Sequence, residues 1–250
     1  MDGVPLAARF SIATNRLRFC GPDEAEPFLY RAIVSDRGDP EARRALEAFE
    51  ALMPYLRAIG HKHGLDPFDR RVVEAYWIGN ELLDDFGPED FRALLEDLHH
   101  RGLPRSFVGH LTEHLTIHPL PHHMFHVAFV GVGAVTGHVA TTLANVEACR
   151  PAWATVLGRD PNTLSIRRPN LRIRAGRLTW GGETEAKVRY DSRALPTVKE
   201  GSSVVVHWGW PALVLTSEQE GCLRTYTQRS LDEANRVLPQ LGAFRSTAEP

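Results

Sequence analysis

Cysteine is scarce in this chain: three among 250 residues, at Cys20, Cys149 and Cys222. An odd count that small builds no disulfide scaffold, so reduced thiols and a cytoplasmic location are expected. Charge of one sign is lacking too. Lysine and arginine total 29 against 31 aspartates and glutamates, a formal net charge of -2, which leaves no basic footprint for nucleic acid and no polybasic surface for anionic lipid. No apolar run reaches the roughly 18 residues that a membrane span needs. The opening "MDGVPLAARFSIATNRLRFCG" has neither the charged head nor the continuous apolar core of a signal peptide. Neither nucleic acid nor membrane is expected as a partner. What the chain does have is apolar material for a core, 43% of its residues, with disorder expected only at the ends. It also has 12 histidines, six of them between positions 110 and 126.

From about 41 to 115 the apolar residues recur at helical spacing. In "PEARRALEAFEALM" Leu46, Phe49 and Met53 form one stripe, and Pro54 is expected to bend or end the helix. "DPFDRRVVEAYWIGNELLDDFG" continues the pattern through Val72, Tyr76, Trp77, Asn80 and Leu83, and "PEDFRALLEDLHHRG" starts on a first-turn proline and stops at Gly102. After 120 the texture changes. "MFHVAFVGVGAV", rich in β-branched and aromatic residues, reads as a buried strand with a turn or bulge. Short segments with turn signals between them follow, from "AWATVLG" to "SSVVVHWGW", and their spacing predicts a small antiparallel barrel or sandwich. In the last segment Ser217, with Glu220 three residues on, predicts a capping box and a helix that packs on the barrel. The expected class is α+β: a helical domain with the histidine cluster over 1–145, a β-barrel of OB-like size with its C-terminal helix over 146–244, and a tail over 245–250.

His110, His114 and His118 are spaced by four, which drifts by roughly 40° per step on a helix and keeps all three along one face. That spacing is competent for metal, although the HExxH motif of zinc proteases is absent. It equally suits a solvated face near a helix C-terminus, where imidazolium is favoured. In "PHHMFHV", His122 and His126 are again four apart, and either a helix or a strand brings two rings together; in a strand His123 takes the other side. Pro119 and Pro121 give these three histidines a rigid approach beside an apolar segment, which makes His122, His123 and His126 candidate metal ligands. Glu74, Glu81, Asp84 and Asp85 are the carboxylates within reach from the preceding helices. Cys20, before a Gly-Pro turn, is a further candidate whose simplest reading is a turn and helix start.

From Cys149 onward, "CRPAWATVLGRDPNTLSI" and "VKEGSSVVVHWGWPALVLTSEQE" resemble the HypC/HupF chaperones of [NiFe]-hydrogenase maturation. Cys149 matches the leading cysteine of that family, Val156 its first strand, and Gly201, Val204, Val206, His207, Gly209 and Ala212 its histidine segment. The resemblance implies a barrel in which Cys149 binds the iron that is being furnished with cyanide and carbonyl ligands, with His207 near it. The family's cysteine, however, stands at the mature N-terminus, Trp153 replaces its proline and Ser202 its aspartate. Through "FCGPDEA", "RRVVEAYWIGNELLD", "PHHMFHV" and "VVHWGW" the chain also resembles, over most of its length, an uncharacterised actinobacterial family with a domain of unknown function.

Two functions follow from these readings. The first is a hydrogenase-maturation accessory protein, a metal-centre chaperone that holds iron on Cys149 and His207 and docks on a hydrogenase large subunit or a HypD-like maturation protein. A thiolate and an imidazole suit a low-spin iron group in transit. The alternative is a metal-dependent enzyme acting on a small-molecule substrate, with His122, His123 and His126 as ligands and Glu74 as base. Imidazole serves Fe, Zn and Ni alike, so the residue types do not select the transition metal. The texture change near 145 predicts that limited proteolysis cuts first between about 136 and 150 or in the loops of the second half. A protease-resistant chain with no cut in either place contradicts this division.

Overall fold

The computed structural model of the protein describes residues 2–241. The expected tail over 245–250 and the end of the second expected domain lie outside them. Eleven helices and five strands follow in order. The helices of the first part are α1 (Val4–Arg16), α2 (Glu26–Ser35), α3 (Pro40–Glu47), α4 (Leu52–His63), α5 (Arg70–Trp77), α6 (Pro88–His100) and α7 (Arg105–Glu113). The short α8 (His123–Phe125) runs into a π-helical turn over His126–Gly131, and α9 (Leu143–Cys149) leads into the sheet. The strands are β1 (Ala152–Arg159), β2 (Thr163–Arg174), β3 (Arg177–Arg189), β4 (Ser203–His207) and β5 (Trp210–Val214), and α10 (Ser217–Asn235) and α11 (Leu238–Leu241) close the described chain.

Helix α1 lies outside the region whose periodicity reads as helical, yet it is the most buried of the long helices. Every residue from Val4 to Asn15 except Arg9 is buried, and a helix that is buried all round shows no amphipathic stripe to detect. Its small residues Ala7, Ala8, Ser11 and Ala13 let neighbours approach closely, while Phe10 stacks on Trp77 with ring centroids 4.6 Å apart. Further along, two expected long helices are broken. Pro54 sits in the first turn of α4, where its missing N–H costs nothing, so it opens a second helix and does not end the first. The pattern through "VVEAYWIGNELL" stops after Trp77, because Gly79 takes φ +97° and Asn80 caps a separate turn of 3-10 helix.

The expected strand "MFHVAFVGVGAV" is helical instead. His122 caps α8, with its Nδ1 accepting from the Met124 N–H at 3.3 Å. The apolar run that follows is buried on every side, and a run of that kind cannot be assigned to strand or helix by periodicity.

The five strands form one antiparallel sheet in the order β3-β2-β1-β4-β5. The barrel expectation is therefore corrected: the sheet is open, and no ladder joins β3 to β5 among the described residues. β4 and β5 have five residues each against 13 in β3, and the chain leaves β5 directly into α10. Helix α1 packs against β5, and α10 against β3 and β1.

β4 is buried on both faces, and so is the start of β1. Ala154, Val156, Val204 and Val206 join Leu164, Ile166, Leu195 and Val198 in a small core on one face. Trp153 and Val205 belong to the main core with the helices on the other. By the two-residue period, His207 points to the side of Val205, toward the helices.

The cap of α10 is Thr216 with Gln219, one residue before the expected Ser217 and Glu220. The helix packs its Tyr226 against Gly79, where an added Cβ would come within 2.3 Å of the tyrosine ring. Steric overlap and the left-handed φ both oppose a side chain there. Gly79→Ala is expected to cost about 2 kcal/mol or more, read as a melting temperature lower by roughly 4–8 °C. Gly109→Ala, inside α7 with nothing within 4 Å of the new Cβ, is the control and should hold or raise it. Equal melting of the two variants would refute the packing described for α10.

Candidate metal centre

Side chains from three separate elements meet at one point. Cys149 ends α9, His207 ends β4 and His123 begins α8. Cys149 Sγ lies 3.5 Å from His123 Nε2 and 3.8 Å from His207 Nε2, and all three side chains are buried. A tetrahedral ion with a thiolate at ~2.3 Å and imidazoles at ~2.05 Å holds its donor atoms about 3.5 Å apart. The group can hold a metal ion.

Local sequence explains how the three converge. The β4–β5 hairpin turns on Trp208 and Gly209, with φ +51° and +71°, the pair of left-handed residues that a two-residue type I′ loop requires. The Trp208 backbone N–H donates to the Ala148 carbonyl at 2.6 Å, which ties the tip of the hairpin to the end of α9. On its other side α9 is held by the carboxylate of Glu147. This accepts from Arg150 Nη2 at 2.6 Å and from the Leu171 N–H at 2.5 Å, and pairs with Arg168 at 3.1 Å. Cys149 thus sits between an ion-pair network on β2 and a backbone hydrogen bond to the hairpin.

Each imidazole is oriented by its second nitrogen. His207 Nδ1 donates to the carbonyl of Phe10 in α1 at 2.8 Å; a carbonyl only accepts, so the proton stays on Nδ1 and the Nε2 lone pair faces Cys149. His123 Nδ1 meets the Tyr76 hydroxyl at 2.7 Å, and its Nε2 also lies 3.1 Å from the Cys149 carbonyl. By the same rule the His123 Nε2–H donates to that carbonyl and Nδ1 accepts from the Tyr76 hydroxyl; because a hydroxyl can also accept, Tyr76 permits the shift of the proton to Nδ1 that frees Nε2 for a metal. Metal-binding histidines ordinarily have an outer partner of this kind.

Burial sets the protonation states. It pulls His207 down to about 4, with the Phe10 and Cys149 backbone groups offsetting part of the shift. His123 is held well below its ordinary value by burial and then by the neighbouring histidines, while burial pushes the Cys149 thiol up. The imidazoles are neutral, as ligands must be, and no imidazolium stands beside Cys149 to activate it as a nucleophile.

The other candidates are placed differently. His126 lines the same small cavity as the three, but its Nδ1 is engaged by the Tyr55 hydroxyl at 2.9 Å. His122 is turned away, toward Ser230 Oγ at 3.3 Å, and its Nε2 is buried without a partner. Cys20 is half-buried on the cavity wall, its thiol pushed up to about 12 by burial and then by Glu50. Glu74 accepts from Gln219 Nε2 at 2.6 Å near the start of α10 and does not line the cavity. His110 and His114 lie on the surface of α7 and its cap, with Glu113, as a second group whose donor atoms fall within 4.8 Å of one another. His118, four residues past the cap, is exposed and outside that group, because the helix ends before it.

Two aromatic neighbours of the site, Trp77 and Trp208, were not expected as part of it. Trp77 has the stripe position of a core residue, and it lies with its ring centroid 4.2 Å from that of His123 and 5.1 Å from that of His207. Trp208 was legible as half of a two-residue turn in "HWGW".

The chain belongs to a family of unknown function, DUF6390, which it matches over residues 1–240. No curated protein and no solved structure matches it, so the HypC/HupF resemblance rests on the motif residues alone. No helix among the described residues is long and apolar enough to cross a membrane.

The buried histidines make stability depend on pH. His122 is lowered to about 3 by burial and His126 to about 4, from an ordinary value of 6.5. Between about 4 and 6.5 the unfolded chain therefore binds more protons than the folded one, and stability falls as pH falls through that window. Each such histidine contributes a slope of roughly 1.4 kcal/mol per pH unit. Metal-free protein should melt at progressively lower temperature from pH 7 to pH 5, with a shallower slope in His126→Gln. A flat profile would show that these imidazoles are not buried neutral.

Proposed function

We propose that this protein is a metal-centre accessory protein that holds a transition-metal ion on Cys149, His123 and His207 and serves the maturation of a metalloenzyme. The observation that carries the reading is the spacing of one thiol and two oriented imidazole nitrogens, 3.5 and 3.8 Å apart, in a buried site. Hydrogenase is the client that the HypC-like motif names, with a hydrogenase large subunit or a HypD-like protein as partner. The pairing of β1 with β4, Ala152 opposite Val206, supports that motif's register, because it brings the segment after Cys149 beside the strand that ends in His207.

His123 adds a donor from the helical part, so the chain offers three ligands itself. A bound divalent ion supplies the positive charge that makes a thiolate tolerable at a site where burial alone favours the thiol. His207 presents a lone pair at Nε2 and His123 gains one when its proton moves to Nδ1, Phe10 and Tyr76 hold the two rings in place, and the surrounding aromatic residues exclude water.

Features of the site weigh in favour of carriage and against catalysis on an organic substrate. The cavity beside the three donors is about 50 Å³, whereas sites for substrates of moderate size occupy roughly 300 Å³ or more. Glu74, the carboxylate proposed as base, is occupied by Gln219.

The test is anaerobic titration of metal-free protein with Fe(II), Co(II) and Zn(II). Binding of one ion per chain is expected, with release of a proton and affinity that rises with pH. Cys149→Ser and His207→Ala should each weaken it by about 100-fold or more, since even outer partners are worth 10–100-fold; His118→Ala should leave it unchanged. Wild-type affinity in Cys149→Ser would end the proposal. Affinity capture from a hydrogenase-producing host then tests the client, and absence of any hydrogenase or maturation protein would leave carriage without that assignment.

A further inference from the structure

Three protein donors leave one position of a four-coordinate ion open, and the surroundings of that position define what can occupy it. The cavity next to His123, Cys149 and His207 has room for only a few atoms, about 50 Å³. Its walls are mainly apolar, among them Phe19, Leu52 and Val132. Among the lining residues the indole N–H of Trp77 is buried and has no acceptor, whereas that of Trp208 interacts with the Cys149 side chain. Trp77 itself is 3% exposed. A buried donor without a partner is destabilising, and this one belongs to a residue that lines the cavity beside the group of ligands.

Several other polar groups nearby are already engaged. The Tyr55 and Tyr76 hydroxyls are engaged with His126 and His123, and Thr14 Oγ1 donates to the Ser11 carbonyl at 2.9 Å. The cavity thus offers a hydrogen-bond donor and an open metal position to the same occupant. Such an occupant must accept hydrogen bonds, coordinate a metal and be very small.

We propose that the open coordination position faces this cavity and takes a small exogenous anion of about one to three heavy atoms, which accepts a hydrogen bond from the Trp77 indole and is enclosed by Trp208. The inference rests on the metal site proposed above and adds the class of ligand that the site completes itself with. Trp77 is a binding residue for that ligand, not for the metal. Its stacking on Phe10, one residue in sequence from Ser11 on the cavity wall, fixes the ring against the central helix. Size excludes carboxylates with bulky substituents, and the apolar walls disfavour a strongly hydrated cation.

Co(II)-loaded protein gives separate readouts for metal and anion, because thiolate coordination produces a charge-transfer absorption and a change of the fourth ligand shifts the visible d–d bands. Titration with azide should shift those bands to saturation, and benzoate, too large for the cavity, should leave them unchanged. Trp77→Phe keeps an aromatic ring but removes the N–H; it should retain the Co(II) spectrum and weaken azide binding by about 10-fold or more, the effect of one hydrogen bond to a charged acceptor. Trp208→Phe tests the enclosing side chain in the same way, without disturbing the Phe10 stack.

Absence of the thiolate band on Co(II) loading would defeat the metal site and this inference with it. A normal Co(II) spectrum that azide leaves unchanged, or that benzoate shifts as readily, would overturn the inference alone. So would equal azide affinity in both tryptophan variants and the wild type. If Trp77→Phe fails to fold, the comparison of azide with benzoate on the wild type and on Trp208→Phe still decides it.

Discussion

The hydrogen bond from His207 Nδ1 to the Phe10 carbonyl joins the end of β4 to the middle of α1, across 197 residues of sequence. Phe10 lies on the helix that is buried on nearly all sides, so the acceptor has no freedom to move. The donor sits at the last residue of a strand whose next two residues must form a tight left-handed turn. That one bond fixes the ring plane of His207, its tautomer and its distance from Cys149, and it also sets how the sheet meets the helices. Without it, an imidazole at that position would be a buried polar group with an unmet N–H, at a cost of about 1–3 kcal/mol.

The residues around the bond follow from the same constraint. A strand wedged between two cores must be apolar on both faces, which is why Val204, Val205 and Val206 form an unbroken run before the histidine. Trp208 can take a positive φ only with a compensating gain, and its N–H bond to Ala148 together with the 4.8 Å approach of its ring to Phe19 provides one. The hairpin therefore delivers His207 to α9, and the Glu147 carboxylate holds α9 against β2. Convergence of thiol and imidazole is a consequence of backbone geometry, set before any ion is bound.

Much of this was legible in the residues. The change of texture near 145, the helices α3 to α7, the short strands and the final capped helix all leave local signals: amphipathic stripes, first-turn prolines and turn pairs. The approach of Cys149 to His207 agrees with what the HypC/HupF resemblance implies, a resemblance that rests on the motif residues alone. Three things were not legible. Helix α1 is buried all round, so it carries no periodic stripe. "MFHVAFV" is apolar on every face and offers no period to separate helix from strand, and its misassignment left open which of His122, His123 and His126 faces inward. Once the segment is helical, His123 alone turns to Cys149, while His126 meets Tyr55 and His122 meets Ser230. Whether the edge strands of a sheet pair with each other is a tertiary fact with no local signature.

Chemistry at the site is governed by dryness. In water, a thiol and an imidazole at this separation would exchange a proton and form a reactive ion pair, the arrangement that makes a nucleophile. Here burial acts on both partners in the direction that opposes charge: it raises the thiol and lowers the imidazoles. A neutral thiol between neutral imidazoles attacks nothing. The same groups become strong donors once a cation takes the place of the proton, because a low-dielectric surrounding strengthens the attraction of a thiolate to a metal as much as it penalises a free thiolate. The environment that makes Cys149 a poor nucleophile thus makes it a good ligand, and a site with these properties is suited to holding a metal centre in place of performing nucleophilic catalysis.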